Sequence, residues 1–323
     1  MPTVPVTSRI KPAALQAGDT VGIVAPASNI KRELLEAGCD RLRKMGFRPF
    51  FFDSILEQDL YFAGPVERRV AELEEMFVRP EVKAIVCARG GYGCNYLIDR
   101  LDLRKITAHP KIFVGYSDAT TLLTWFADAA GFVTFHGPMV TRDLAEPDGV
   151  DVSSWEEALT GASRWTLETA GVEPLREGSA DGILYGGCLS MLVASLGTPH
   201  EIRTAGTVLF IEDVAAKPYQ IDRMLMHLKH AGKLAGVKGV VFGEMLECHQ
   251  AASQGYTLQE VILRVLADLD IPIAYGLSSG HVSKRNITLP IGVKVSLQVE
   301  SAGVRLQILE PATTRAAMNA RRS

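Results

Sequence analysis

The sequence has few cysteines, and none of them stand in a spacing typical of a metal site. Its 323 residues include five, namely Cys39, Cys87, Cys94, Cys188 and Cys248. An odd number argues against a disulfide framework, and the lack of a Cys-x-x-Cys pair argues against a zinc knuckle. We therefore expect reduced thiols in or near the core.

Long apolar runs are also missing. No stretch reaches the roughly 18 apolar residues that a membrane-spanning helix needs, and residues 1–9 lack the apolar segment of a signal peptide. These features predict a protein of the cytoplasm that has no membrane partner.

A strong charge of either sign is absent as well. The 34 basic and 37 acidic residues leave a net charge of −3, which offers no long-range attraction for nucleic acid or an anionic membrane. We expect a small-molecule substrate. With 47% hydrophobic and 22% charged residues, the chain has the composition of a globular protein long enough for two domains.

The first part of the chain alternates apolar runs with helical patterns. Short apolar runs predict buried strands, and leucines at helical spacing or a proline at a helix start predict the helices between them. This β-α-β-α-β order favours an α/β fold with a parallel sheet covered on both faces. The predicted strands are 20–25, 47–52, 83–88, 112–115 and 133–135, and the predicted helices are 31–44 and 65–78.

The organisation changes after Pro138. We assign 1–140 to an N-terminal domain, 141–178 to a linker rich in small and polar residues, and 179–323 to a C-terminal domain. Trp155 and Trp165 fall in the linker, where they either pack it down or line a cleft. The C-terminal domain begins with strands and helices in alternation and ends with three runs typical of an antiparallel meander, at 287–289, 293–299 and 304–309.

Ser117 stands where a strand ends and a helix begins. The motif Gly115-Tyr-Ser-Asp-Ala119 is close to the Gly-x-Ser-x-Gly turn, in which a serine hydroxyl projects beyond the sheet. Free N–H groups at the start of the helix, including that of Asp118, favour negative charge. The alternative is that Ser117 or Asp118 only caps the helix.

A glycine-rich loop, Arg89-Gly-Gly-Tyr-Gly93, follows another predicted strand. Glycines let backbone N–H groups approach a ligand, so the Gly91 N–H could serve as an oxyanion donor. The loop lacks the third glycine of a dinucleotide-binding motif, and no P-loop lysine follows. A plain flexible turn is the alternative.

Glu212 and His281 also follow predicted strands, and with Ser117 they stand in the order nucleophile, acid, base. Each by itself is an ordinary surface residue type. Ligands of parallel sheets bind beyond the carboxyl ends of the strands, where all three residues are predicted to lie. A second group, Glu244, Glu247, Cys248 and His249, matches no standard metal spacing.

These motifs, together with the stretch 286–292 (Asn-x-Thr-Leu-Pro-x-Gly), resemble the LD-carboxypeptidase family of serine peptidases from about Ile10 to Leu309. The resemblance implies Ser117 as nucleophile, Glu212 as acid and His281 as base. It also implies an N-terminal half like class I glutamine amidotransferases, a smaller swivelling β/α C-terminal domain, a homodimer, and no need for a metal or cofactor.

The main branch of this family removes terminal D-alanine from cytoplasmic murein tetrapeptides. In the mechanism that the resemblance implies, the N–H groups of Gly91 and Asp118 bind the oxyanion. Because an exopeptidase recognises a terminal carboxylate, Arg89 is a candidate substrate contact, and Tyr92 is a second.

The resemblance leaves a second branch open, that of microcin immunity peptidases, which cleave aminoacyl-nucleotide conjugates. The short separation of Ser117 and Glu212 favours the tetrapeptide branch, whereas Trp155 and Trp165 keep the other branch open because an aromatic residue stacks on the base there. Cys188 stands where many relatives have asparagine, so a polar contact from that side chain is in doubt. A non-catalytic protein that binds a peptide or nucleotide in the same cleft is the remaining alternative.

Overall fold

The computed structural model of the chain describes residues 9–251 and 254–314. Two β-sheets, with six and eight strands, form the framework. Residues 1–8 of the predicted N-terminal domain and residues 252–253 and 315–323 of the predicted C-terminal domain lie outside the described part of the chain.

Fourteen strands make up the two sheets within the described residues. In chain order they are β1 (Thr20–Val24), β2 (Arg48–Phe50), β3 (Val82–Cys87), β4 (Ile112–Gly115), β5 (Thr134–His136), β6 (Trp165–Thr166), β7 (Glu173–Arg176), β8 (Gly178–Cys188), β9 (Thr207–Glu212), β10 (Gly239–Gly243), β11 (Ile273–Leu277), β12 (Leu289–Ile291), β13 (Lys294–Glu300) and β14 (Gly303–Ile308).

Helices connect most of the parallel strands. Within the described residues the α-helices are α1 (Arg32–Lys44), α2 (Val66–Val78), α3 (Asn95–Ile98), α4 (Leu103–Ala108), α5 (Thr120–Trp125), α6 (Val152–Leu159), α7 (Leu189–Ala194), α8 (Pro218–His230) and α9 (Leu258–Val265). Single turns of 3₁₀-helix at Asp53–Leu56 and Ser117–Ala119 and a π-helical turn at Phe126–Ala130 add to them.

The first sheet has the order β12-β5-β4-β3-β1-β2, and β1 to β5 run parallel. Its inner strands β1, β3 and β4 are buried along most of their length because both faces are covered. Leu35 and Leu42 of α1 belong to one buried cluster, and Leu73 and Phe77 of α2 belong to another. The predicted α/β fold with helices on both faces of a parallel sheet is confirmed.

The second sheet has the order β6-β14-β13-β8-β9-β10-β11-β7, with β8 to β11 parallel and the strands on both sides of them antiparallel. The segment 141–178, expected as a linker, contributes α6 and two of these strands, β6 and β7, which occupy the edges of the sheet. That segment is therefore part of the packed structure.

The predicted three-stranded meander is wrong in its first member. β13 and β14 pair antiparallel as predicted, but β12 pairs with β5 in the first sheet, with Leu289 opposite His136. A three-residue apolar run carries no information about its partner, and Pro290 is tolerated because β12 is an edge strand. The chain thus crosses back to the first sheet after His281.

Trp155 and Trp165 are buried, with 0% and 5% of their surface exposed, and both belong to the core cluster that the two sheets share. They pack the segment 141–178 onto that core. Trp155 also borders a small cavity of about 190 Å³ beside Leu15 and Met45, whereas neither tryptophan lines the cavity that contains Ser117. No helix in the described ranges is long and apolar enough to cross a membrane.

Candidate active site

Ser117 occupies a strained turn directly after β4. Its φ of 59° lies in the left-handed region, which costs a non-glycine residue roughly 1–2 kcal/mol. Strain of this kind persists only where neighbouring structure holds it, and it occurs often at functional sites. The turn brings Gly115 against Ala119, since a Cβ added to Gly115 would lie 2.9 Å from the Ala119 Cβ. An alanine at the fifth position of the motif therefore still permits the tight turn.

The glycine-rich loop after β3 lies against this turn. A Cβ added to Gly90 would lie 2.9 Å from Ser117 Oγ, so glycine is needed for the loop to pass the serine. The Ser28 N–H donates to the Gly90 carbonyl at 3.3 Å, and the Ser28 hydroxyl accepts from the Tyr92 N–H at 3.2 Å. Gly91 has a φ of 102°, which an L-residue rarely adopts. The loop conformation thus depends on both glycines and on Ser28.

The far end of the loop is tied to the turn by Asp118. Its buried carboxylate accepts from the Cys94 N–H at 2.8 Å. Burial raises the pKa of Asp118, although the hydrogen bond from Cys94 opposes this effect. The buried guanidinium of Arg69 donates to the carbonyls of Pro26 and Gly93 at 2.6 and 3.0 Å. The side chain of Asp118 is therefore structural, whereas its backbone N–H faces no acceptor among the described residues.

Three backbone N–H groups near Ser117 have no hydrogen-bond acceptor in the described part of the chain. Within the described ranges, the N–H groups of Gly90, Gly91 and Asp118 donate to no protein acceptor. Gly90 and Gly91 line the same cavity as Ser117. An unpaired N–H that faces a cavity is available to stabilise negative charge there. Sequence reasoning named Gly91 and Asp118, and the structure adds Gly90, which lies next to the serine.

Glu212 and His281 are hydrogen-bonded to each other. Glu212 is the last residue of β9 and is fully buried. Its Oε2 accepts from His281 Nδ1 at 2.7 Å and from the His281 backbone N–H at 3.0 Å. Since an ionised carboxylate only accepts, Nδ1 carries the proton and Nε2 is left for other chemistry.

This pairing shifts both pKa values. Burial by itself would raise the pKa of Glu212, but the charge of His281 and the hydrogen bonds around the carboxylate outweigh burial and lower that pKa to about 2. Burial would lower the pKa of His281, but the charge of Glu212 and the hydrogen bond to it raise that pKa. The carboxylate therefore stays ionised and stabilises the protonated form of His281.

The loop that carries His281 is held from several sides. Gly280 has a φ of 93°, and a Cβ there would lie 2.6 Å from the Glu212 carboxyl carbon. Asn286 accepts from the Gly280 N–H at 3.0 Å and donates to its carbonyl at 3.1 Å. The structure therefore explains two of the motif residues. Gly280 lets the chain pass close to the Glu212 carboxylate, and Asn286 holds the two ends of the loop together through hydrogen bonds to the Gly280 backbone.

Glu244, from the group considered for a metal, has a different role. Its carboxylate accepts from the Ser278 hydroxyl at 2.8 Å and from the Ser283 N–H at 2.9 Å, on the two sides of His281. Cys248 is buried, which raises the pKa of its thiol to about 11. Glu244 supports the base loop, and sequence reasoning missed this because the partners lie more than thirty positions away.

Ser117 and His281 line one cavity of about 270 Å³, which also includes Arg89 and Arg142. No hydrogen bond joins Ser117 to His281 within the described part of the chain. Bonds of this type are often long in unliganded sites and tighten with substrate. A larger cleft of about 1430 Å³ shares Leu34, Thr141 and Arg142 with this cavity, so the two adjoin each other.

The two predicted substrate contacts differ in their surroundings. Arg89 lines the cavity and donates to the Asn29 carbonyl at 3.2 Å. Tyr92 is 40% exposed and packs in an aromatic group with Tyr61, Phe62 and Tyr96. Arg89 therefore has the better position for a ligand, and a role for Tyr92 stays a prediction.

Arg142 was missed by sequence reasoning. Its guanidinium is exposed, lines both the small cavity and the large cleft, and forms no ion pair with any described residue. Arg142 lies at the start of the polar segment after Met139, and it belongs to none of the sequence motifs described above. Its position between the two spaces could be found only from the structure.

Cys188 lies beside Glu212 in the pairing of β8 with β9. Its side chain is buried, which raises the pKa of the thiol far above the usual range. The contact at this point is made by the backbone, because the Cys188 N–H donates to the Thr120 hydroxyl at 3.1 Å. Thr120 begins α5, so this bond ties the second sheet to the helix that follows Ser117.

Two facing sheets, a strained serine at a strand end and a carboxylate–histidine pair in reach of one cavity are the features of a serine-type hydrolase of the α/β class. Comparison with known proteins agrees. The LD-carboxypeptidase N-terminal domain matches residues 21–137, and the LD-carboxypeptidase C-terminal domain matches residues 181–297.

Similar proteins include a probable murein peptide carboxypeptidase of Bacillus subtilis, 38% identical over 89% of this chain and 91% of that one. The microcin C7 self-immunity protein MccF of Escherichia coli is 28% identical over 91% of this chain and 94% of its own. A crystal structure of muramoyltetrapeptide carboxypeptidase from Oxalobacter formigenes has a TM-score of 0.83 and 28% identity, and covers 91% of this chain and all of that one. The chain belongs to the LD-carboxypeptidase family and is a serine-type carboxypeptidase.

Proposed function

We propose that the protein removes the terminal D-alanine from murein tetrapeptides in the cytoplasm, with Ser117 as nucleophile, His281 as base and Glu212 as the acid that orients it. The observation that carries this proposal is the buried Glu212, whose 2.7 Å hydrogen bond to His281 fixes the imidazole in a cavity that it shares with the strained serine. The relatives named for murein peptides support the substrate class.

The reaction is an acyl transfer. His281 Nε2 takes the proton of Ser117 as Oγ attacks the carbonyl carbon of the scissile bond, and Glu212 stabilises the imidazolium. The oxyanion lies between the N–H groups of Gly91 and Asp118. His281 then gives its proton to the leaving amine of D-alanine. In the second half of the reaction His281 takes a proton from water, which attacks the ester carbonyl, and then gives that proton to Ser117 Oγ as the acyl group leaves.

The two adjoining spaces suggest how a peptide lies in the site. The small cavity contains Arg89, which suits the carboxylate of a single leaving residue because a guanidinium can donate two parallel hydrogen bonds. The cleft of about 1430 Å³ has room for the longer acyl part. Arg142 lies between them and would contact the substrate near the scissile bond.

The second candidate is cleavage of aminoacyl-nucleotide conjugates, which the 28% identity to MccF favours. That activity was kept open by Trp155 and Trp165, and both side chains are buried in the core rather than placed to stack on a ligand. We therefore rank the tetrapeptide first. The same family relationship leads us to expect a homodimer, which light scattering of the purified protein would test.

The deciding experiment is an assay of D-alanine release from a murein tetrapeptide, run beside an aminoacyl-sulfamoyl nucleoside as competing substrate. We expect release from the tetrapeptide with wild-type protein and none with Ser117→Ala. Cleavage of the nucleoside alone would support the second candidate. Binding of the tetrapeptide without turnover by the wild type would contradict both and indicate a binding protein.

A further inference from the structure

The second oxygen of Glu212 faces a histidine that the mechanism above does not use. His136 Nε2 lies 3.7 Å from Glu212 Oε1, and both side chains are fully buried. Among the described residues neither atom has a hydrogen-bond partner. Two buried polar atoms without other partners that point at each other need a physical explanation, because an unsatisfied polar atom costs about 1–3 kcal/mol.

His136 is held firmly in this position. It is the last residue of β5, and its ring lies between those of Tyr116 and Phe210, with centroids 5.9 and 5.1 Å away. Its Nδ1 lies 3.1 Å from the Ser279 hydroxyl, which is itself 2.8 Å from the carbonyl of Ile287. These contacts favour the orientation in which Nε2 is turned toward Glu212.

Counting protons shows which atom of His136 faces the carboxylate. The Ser279 hydroxyl has one proton, which goes either to the Ile287 carbonyl or to His136 Nδ1. In the second case the neutral ring carries its proton on Nε2. In the first case Nδ1 must donate, and a neutral ring would then turn a bare Nε2 toward the carboxylate, which repels it. The arrangement that suits Glu212 is therefore the tautomer in which Ser279 donates to Nδ1 and Nε2 carries the proton.

We propose that His136 is a positioning residue for the catalytic acid: its Nε2–H holds Oε1 of Glu212, which keeps Oε2 directed at His281. This inference rests on the proposed function of Glu212. The 3.7 Å separation is longer than an ordinary hydrogen bond, but in a buried site the attraction between the two groups remains substantial. Because His136 belongs to the first sheet and Glu212 to the second, the contact also sets the acid relative to the nucleophile.

The role has a consequence for pH dependence. As the pH falls, the pair of Glu212 and His281 takes up one proton, and this uptake produces the acidic limb of the pH profile of kcat/KM. A donor on the far side of the carboxylate draws negative charge away from His281, so loss of that donor makes the pair more basic. Other titratable or charged groups near this pair are Tyr116, Arg142, Cys188, Asp213 and Cys248, and Asp143 acts on Tyr116.

Two variants at one position test this role. His136→Leu fills the space but removes the donor, and His136→Gln restores an N–H near the position of Nε2. We expect His136→Leu to lower kcat by about 10- to 100-fold, the loss typical of a mispositioned catalytic group, with KM within twofold. Its acidic limb should move up by about half to one pH unit. His136→Gln should recover most of kcat and return the acidic limb of the pH profile to its wild-type position. His109→Gln, at an exposed histidine outside the site, is the control for the loss of a histidine and should leave kcat and the pH profile unchanged.

The inference is overturned if folded His136→Leu keeps kcat within twofold and its limb does not move, or if His136→Gln is no better than His136→Leu. Nitrogen NMR of protein labelled at histidine gives a readout without activity. The His136 Nε2 should be protonated in the wild type, and His281 should titrate at higher pH in His136→Leu. Were the wild type inactive on tetrapeptides, the proposed function would fail while this NMR result still decided the role of His136.

Discussion

Replacing Gly90 with alanine would place a methyl group against the candidate nucleophile. The new Cβ would lie 2.8 Å from the Ser117 Cβ, 2.9 Å from its Oγ and 3.3 Å from the Asp118 nitrogen. Two of these distances are below 3.0 Å, so either the serine or the loop has to move. Unlike Gly91 and Gly93, Gly90 does not have a φ in the left-handed region, and alanine can adopt its backbone conformation.

The expected loss follows from the size of that movement. Relief of contacts this short requires a displacement of several tenths of an ångström at Ser117 or at the oxyanion loop. A misplacement of about 1 Å at reacting groups costs on the order of 100-fold in rate, which corresponds to about 2.7 kcal/mol of transition-state stabilisation. Because the expected displacement is only part of 1 Å, we expect kcat/KM of Gly90→Ala to fall by roughly 10- to 100-fold, mainly in kcat, since the new methyl group contacts Ser117 and Asp118.

The assay is D-alanine release, measured beside thermal unfolding. Gly206→Ala is the matched control, since a Cβ there meets nothing within 4 Å and its φ of 79° strains alanine. The control should lose roughly 1–2 kcal/mol of stability and keep full activity. Gly90→Ala should lose activity and keep most of its stability. If Gly90→Ala turned over substrate within threefold of wild type, Ser117 would not need the space that the loop leaves it, and the assignment of this site would be wrong.

Three further predictions concern the same site. Ser117→Ala and His281→Ala should each lower kcat by roughly a million-fold, as in one well-studied triad, and a variant that kept more than about a tenth of the activity would contradict its role. Ser117→Ala should leave the unfolding temperature nearly unchanged, whereas His281→Ala should lower it because the buried Glu212 carboxylate loses its partner. Because Glu212 raises the pKa of His281 above the usual 6.5, and the base must be unprotonated, kcat/KM should rise with pH through a midpoint above 6.5, and a midpoint below it would refute the electrostatic argument. If Arg89 reads the terminal carboxylate, amidation of the substrate should cost the wild type most of its kcat/KM and cost Arg89→Ala little more, whereas multiplication of the two effects would show that Arg89 does not.

The sequence by itself determined most of the first sheet and the identity of its candidate chemistry. Buried parallel strands are apolar along their whole length, so β1, β3 and β4 were visible as short runs, and residues after such runs lie at one edge of a sheet. Ser117 and His281 each follow a strand and Glu212 ends one, and the shared motifs singled them out from other residues at strand ends. Local patterns were sufficient because each of these features is set by its neighbours in the chain.

Only the tertiary structure decided how the two halves of the chain combine at the site. The pairing of β12 with β5, the position of Arg142 between two cavities and the approach of His136 to Glu212 each join residues far apart in sequence. Such contacts leave no periodic pattern, because one histidine at a strand end has the same local sequence whether or not a carboxylate faces it. What His136 meets is set by the packing of one sheet against the other, which no local propensity encodes.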